Sequence, residues 1–152
     1  MKTSRKWIIF AALAGLLLCL IFIFGNSLLD SENSMSKSLV ILQKLGFNLS
    51  DDAEVIFLYQ CIIRKCAHFT EFFALGLLLM ALFGNHLWSP AAAMAIAAAA
   101  AFADEGLQLL SDRGNSLQDV ALDSAGAASA ILLCFLSFLL VRLLKIWKQK
   151  RK

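Results

Sequence analysis

The sequence predicts an all-α membrane protein: a four-transmembrane-helix bundle with a short amphipathic-helical extracytoplasmic segment between the first and second spans. Two observations carry that expectation. Of the 152 residues, 60% are hydrophobic, with a mean hydropathy of +0.74. They stand in long unbroken runs that a soluble core of this size does not require. The net charge is only +3 and gathers at the chain ends. That is a pattern of membrane topology, not of a basic nucleic-acid face interleaved with aromatics. One proline and eight glycines leave no linker or low-complexity stretch, so residues 1–152 read as one domain.

The first span covers about residues 7–24. Lys2, Arg5 and Lys6 ahead of it imitate a secretory signal. The apolar stretch is long for one, and no small-x-small motif precedes Gly25 or Ser27, so it reads as an uncleaved anchor. The second span covers about 64–84. The third, 89–110, opens with Ser89 as a cap and Pro90 at the first helical position. The fourth covers about 117–144. At about 1.5 Å per residue each can cross a hydrocarbon core of roughly 30 Å. Within 26–63, Leu39, Leu42 and Leu45 recur at helical spacing, as do Val55, Leu58 and Ile62. These repeats predict one or two short amphipathic helices on the outer surface. The third span is mostly alanine from Ala91 to Ala103, and Gly126 and Ala130 lie four apart in the fourth. Small residues let helix backbones approach closely, which predicts tight packing of the third and fourth spans with the third central.

Orientation follows from Lys and Arg near the span ends. Basic residues precede the first span, and Arg142, Lys145, Lys148, Lys150, Arg151 and Lys152 close the chain. An even number of spans puts both termini on one side, read as cytoplasmic. The outer segment then carries Asp30, Glu32, Asp51, Asp52 and Glu54 against Lys37 and Lys44. Of the four cysteines, Cys19 and Cys134 lie deep in apolar runs and read as packing residues, and Cys61 and Cys66 have no metal-type spacing.

Three polar clusters fall where the second, third and fourth spans meet the outer face. Arg64, Lys65, His68 and Glu71 open the second span, with Arg64, His68 and Glu71 on one helical face. Asp104, Glu105 and Gln108 close the third, Asp104 and Gln108 sharing a face. Arg113 lies in the following turn, and Asp119 and Asp123 stand one turn apart in the fourth. Charged groups inside spans are costly unless they face partners or water. Five carboxylates outnumber the cations here, which calls for bound protons, a bound cation or a cationic ligand group. Each residue also has a purely structural reading. Asp119 could complete a capping box with Ser116, Arg64 and Lys65 could snorkel to headgroups, Gln108 could be interhelical glue, and the whole group could be an ion-pair network. The first span is expected to stand outside this group.

On these residues the chain resembles the VanZ-like family. The matching pieces are Arg64-Lys65-x-x-His68-Phe69-x-Glu71, Asp104-Glu105-x-x-Gln108, and Arg113 followed by Asp119-x-x-x-Asp123-x-x-Gly126. Ser27, Ser34 and Ser38 resemble the serine-rich stretch after that family's first span. The chain departs from the pattern at Asp123, where Asn is usual, and at Phe72, where Tyr is commoner. The resemblance implies a small bacterial cytoplasmic-membrane protein. The family takes its name from a member that raises resistance to the glycopeptide teicoplanin without rebuilding the peptidoglycan stem.

Three function classes follow. In the first, Arg64, Lys65 and Arg113 hold an anionic lipid, a lipid-linked wall precursor or the drug at the outer leaflet, since Arg suits phosphate bidentately. In the second, the protein is an intramembrane enzyme acting on a lipid phosphate or glycolipid. His68, Glu71 and Asp104 would then be catalytic, and Asp104, Glu105, Asp119 and Asp123 could hold a divalent cation such as Mg²⁺, Mn²⁺ or Ca²⁺. The third, a coupled transporter, has little room in four spans.

Overall fold

The computed structural model describes residues 2–28, 31–44, 46, 53–84, 86–110 and 116–151, without the side chains of 2–4 and 31–35. The expectations placed on Asp30, Leu45, Asp51, Asp52 and Arg113, and on the side chains of Glu32 and Ser34, lie outside the described residues.

Five helices are described: α1 (Lys2–Ser27), α2 (Ser31–Lys44), α3 (Ala53–Phe83), α4 (Ser89–Leu110) and α5 (Leu117–Lys150). All but α2 are long and apolar enough to cross a membrane. Their outward faces carry exposed Phe10, Leu17, Ile21, Leu132, Leu136 and Leu140, among others. In water each such side chain would forgo about 1.5–3 kcal/mol of burial, a cost that hydrocarbon removes. The chain is a multi-pass membrane protein.

Local chemistry sets the helix ends. Gly84, at φ 72°, ends α3, and its N–H donates to the Met80 carbonyl at 3.0 Å, the left-handed cap that glycine adopts without steric cost. Ser89 Oγ accepts from the His86 backbone at 3.3 Å at the start of α4, where Pro90 needs no amide partner. Ser116 caps α5, its side chain accepting from the Gln118 backbone at 3.2 Å.

Two expectations about the elements are corrected. Among the described residues of 26–63 there is one separate helix, α2, within the expected one or two, with Leu42 buried and Leu39 half-buried. Val55, Leu58 and Ile62 lie instead in the first turns of α3, continuous with the span. No proline or glycine stands between Ala53 and Leu75, so nothing interrupts the helix for its first 23 residues. The second correction concerns packing. α3, not α4, is central: it touches every other helix, most extensively α5. A Cβ on Gly76 would come within 2.7 Å of the Ala127 carbonyl oxygen and 3.0 Å of the Ala130 methyl. A Cβ on Gly126 would meet the Phe69 backbone. The small residues of α5 therefore receive α3. Ala93, Ala97, Ala100 and Ala101 of α4 close the core against Ile23, Phe72, Leu75 and Leu79.

The bundle has two unlike ends. Trp7, Trp88 and Trp147 all lie at the end that carries the chain termini, with Arg5, Lys6, Arg142, Lys145, Lys148 and Lys150, and Arg151 lies 3.6 Å over the Trp147 ring. Tryptophan and long cations gather in this way at membrane–water boundaries. The acidic residues of the spans lie toward the other end.

Gly126→Ala is expected to destabilise the protein by about 1–3 kcal/mol through overpacking against the Phe69 backbone. Gly25→Ala, with nothing within 4 Å of the added Cβ, is expected to cost nothing. Unfolding titrations in detergent micelles check both.

Candidate functional site

α3 brings Arg64, His68 and Glu71 to one face, where they line a cavity of about 250 Å³ with Phe22 and Asn26 of α1, Lys37, Ser38 and Ile41 of α2, and Ile63 and Ala67. Deeper in the bundle, α4 and α5 add carboxylates. Asp104 is 0% exposed and Asp123 1% exposed, so neither side chain reaches solvent. Both point at His68, whose Nδ1 lies 3.7 Å from Asp104 Oδ2 and 4.0 Å from Asp123 Oδ1. Glu71 Oε2, one turn down α3, is also 4.0 Å from that nitrogen. Gly126 makes this convergence possible. Without a Cβ, it lets α5 lie on the α3 backbone at Phe69, the residue after His68, and Asp123 stands one turn before it.

The first span belongs to the group, contrary to expectation. Asn26 Nδ2 donates to Glu71 Oε1 at 3.2 Å, and Ser27 Oγ donates to Asp104 Oδ1 at 2.5 Å. The Cys19 thiol donates to the Glu71 backbone carbonyl at 3.8 Å, tying α1 to α3 lower down. The signal in the sequence was two hydrogen-bonding residues closing an otherwise apolar span. Gln108 Nε2 donates to Asp104 Oδ2 at 2.9 Å, so both Asp104 oxygens are oriented by neutral donors from two helices.

Two acidic residues have other work. Glu105 Oε2 accepts from the Ser116 backbone amide at 3.0 Å. In a capping box that amide is satisfied by the side chain three residues into the same helix. Here Glu105 of α4 takes the place expected for Asp119, which instead pairs with Lys65 at 3.3 Å on the rim. Arg64 lies within electrostatic reach of Glu105. Lys65 therefore faces Asp119 and not the larger cavity. Lys37 of α2, read from sequence only as part of the outer segment's charge, does line that cavity.

The donor set for a metal also changes. Glu105 and Asp119 are turned to Ser116 and Lys65. Among the described residues, His68, Asp104 and Asp123 offer ligand atoms that all lie within 4.8 Å of one another. A void of about 10 Å³ is lined by Arg64, Lys65, His68, Gln108, Asp119, Leu122 and Asp123. That is room for a single small species, an ion or a water. His68 and Arg64 stand on the wall of both the large cavity and this void.

The family model described as VanZ/LLP1 matches residues 10–141. No curated protein and no solved structure matches the chain.

Ser27→Ala is expected to cost about 1–3 kcal/mol, because it removes one donor to a buried carboxylate and supplies no other. Ser36→Ala, on the exposed face of α2, is expected to stay within about 0.5 kcal/mol of the parent. Both are read from unfolding in micelles.

Proposed function

The chain belongs to the VanZ/LLP1 family, and we propose that it acts at the outer leaflet of a bacterial cytoplasmic membrane by holding the anionic headgroup of a lipid or of a lipid-linked cell-wall precursor. The observation that carries this reading is the composition of the 250 Å³ cavity. Lys37 and Arg64 supply cations, Asn26 and Ser38 supply hydrogen-bonding groups, and Phe22, Ile41 and Ile63 supply an apolar wall. A phosphate with the first part of its chain needs that combination: bidentate or point-charge contacts for the oxygens and a lipid-like surface beside them. The cavity lies just below the roughly 300–1,000 Å³ of drug-sized sites. It suits a headgroup and is too small to enclose a glycopeptide, so the link to teicoplanin resistance is read as acting through a membrane lipid.

The sidedness follows from the same asymmetry. Arg5, Lys6, Arg142, Lys145, Lys148, Lys150, Arg151 and all three tryptophans stand at the end with the termini, against Lys37, Lys44, Arg64 and Lys65 at the other; that excess supports cytoplasmic termini under the positive-inside rule. The cavity is then extracytoplasmic.

A second reading has one observation in its favour: His68 and Glu71, 4.0 Å apart, face the same cavity as the cations. Such a pair could transfer a proton at a phosphate ester, making the protein an enzyme acting on a lipid phosphate or glycolipid.

One experiment separates these. The full chain in nanodiscs is offered phosphatidylglycerol, a polyprenyl phosphate and phosphatidylcholine, and the bound and free lipids are read by mass spectrometry. The binding reading predicts at least tenfold enrichment of the phosphate monoester or anionic lipid over phosphatidylcholine. Losing two charge-assisted contacts of about 1.5–3 kcal/mol each in Lys37→Ala plus Arg64→Ala is expected to abolish that enrichment. Equal retention of all three lipids, or enrichment unchanged in the double variant, contradicts it. A new lipid species that disappears in Glu71→Gln would favour the enzyme.

A further inference from the structure

We propose that His68, Asp104 and Asp123 form a divalent transition-metal site, taking Zn²⁺ or Mn²⁺, at the junction of α3, α4 and α5. The inference stands apart from whatever lipid fills the neighbouring cavity.

The first ground is a buried carboxyl group without a partner. Asp123 is 1% exposed, and neither carboxylate oxygen has a hydrogen-bond partner among the described residues. It lines the 10 Å³ void with His68, Gln108 and Asp119, and with Arg64 and Lys65 on the same wall. Among the described residues, no lysine or arginine forms an ion pair with Asp123 or Asp104; Lys65 is taken by Asp119. A carboxylate left this way inside an apolar bundle is costly. Two carboxylates and one imidazole match the charge of a divalent cation.

The second ground is geometry. Around a metal with bonds of about 2.1 Å, ligand atoms stand roughly 3–4.2 Å apart. His68 Nδ1 stands 3.7 Å from Asp104 Oδ2 and 4.0 Å from Asp123 Oδ1, too far for hydrogen bonds. The third ground is support. Ser27 and Gln108 each donate to a different oxygen of Asp104, as groups behind a ligating carboxylate do, and each oxygen keeps a lone pair. Glu71 Oε2 is beside the group, 4.0 Å from the same nitrogen, next to where a fourth ligand or water would complete the shell.

The donor set also chooses the ion. Oxygen-only clusters take Mg²⁺ or Ca²⁺. An imidazole nitrogen together with carboxylates favours Zn²⁺ and Mn²⁺. The all-oxygen set expected from sequence, with Glu105 and Asp119, is replaced by one with a nitrogen.

The test uses the full chain in detergent micelles, stripped with chelator, incubated separately with ZnCl₂, MnCl₂ or MgCl₂, and passed through a desalting column. Elemental mass spectrometry is expected to find close to one Zn²⁺ or Mn²⁺ per chain and less than a tenth of a Mg²⁺. Asp123→Asn and Asp104→Asn are each expected to retain less than a tenth, and Asp119→Asn the full equivalent. Spin-echo modulation of the Mn²⁺-loaded parent is expected to show coupling to a histidine nitrogen that His68→Gln loses. Because the parent alone gives stoichiometry and nitrogen coupling, a variant that fails to fold does not leave the proposal standing by default. Less than a tenth of an equivalent of both ions in the parent overturns it, as does bound Mn²⁺ without nitrogen coupling, or full retention in a folded Asp123→Asn.

Discussion

Three carboxylates, from α3, α4 and α5, share the space around one imidazole nitrogen inside a bundle whose outer surface is hydrocarbon-compatible. Such groups are expensive in a span unless every charge is answered. Much of the bundle's shape can be understood as answering them. α1 ends in Asn26 and Ser27, which donate to Glu71 and Asp104. α4 carries Gln108 one turn from Asp104. α5 meets α3 at a glycine, so that Asp123 comes within reach of His68. Were α5 held off by a larger residue at Gly126, Asp123 would be buried farther from His68.

The same constraint divides the molecule along its length. At the end with the termini, tryptophans and basic residues mark a boundary with water. In the middle, the alanines of α4 and the leucines of α3 pack without polar groups. At the far end, α2 lies across α3 with Ser38 and Leu42 buried and closes one side of the cavity that His68 also lines. His68 is therefore common to two spaces, one of about 250 Å³ and one of about 10 Å³. Arg64 lines both as well, so the two spaces share two side chains.

The four spans and the residue types of the site were legible because long apolar runs and intramembrane charges have few other meanings. The i, i+4 and i+7 face of Arg64, His68 and Glu71 and the Asp104–Gln108 pair follow from helical periodicity alone. Partner choice was not legible. Gly126 and Ala130 announce a close approach, and the alanine-rich span looked like the natural recipient. Gly76, an isolated glycine among leucines, was the residue that marked α3 instead. Ser116 and Asp119 fit a capping box by spacing, but Glu105, eleven residues before Ser116, takes the amide. Tertiary hydrogen bonds of this kind leave no periodic trace. The contribution of Asn26 and Ser27 was missed for a related reason: two neutral polar residues at a span end read as its boundary until a buried carboxylate is found against them.

The central claim is that His68 and the carboxylates of other helices are one energetic unit, not neighbours by chance. A double-mutant cycle of His68→Gln and Asp104→Asn, measured by unfolding in micelles with chelator present, tests it most directly. The two substitutions are predicted to be non-additive by about 1 kcal/mol or more, as expected for groups in one polar cluster. Additivity within about 0.5 kcal/mol, the behaviour of independent sites, would contradict it.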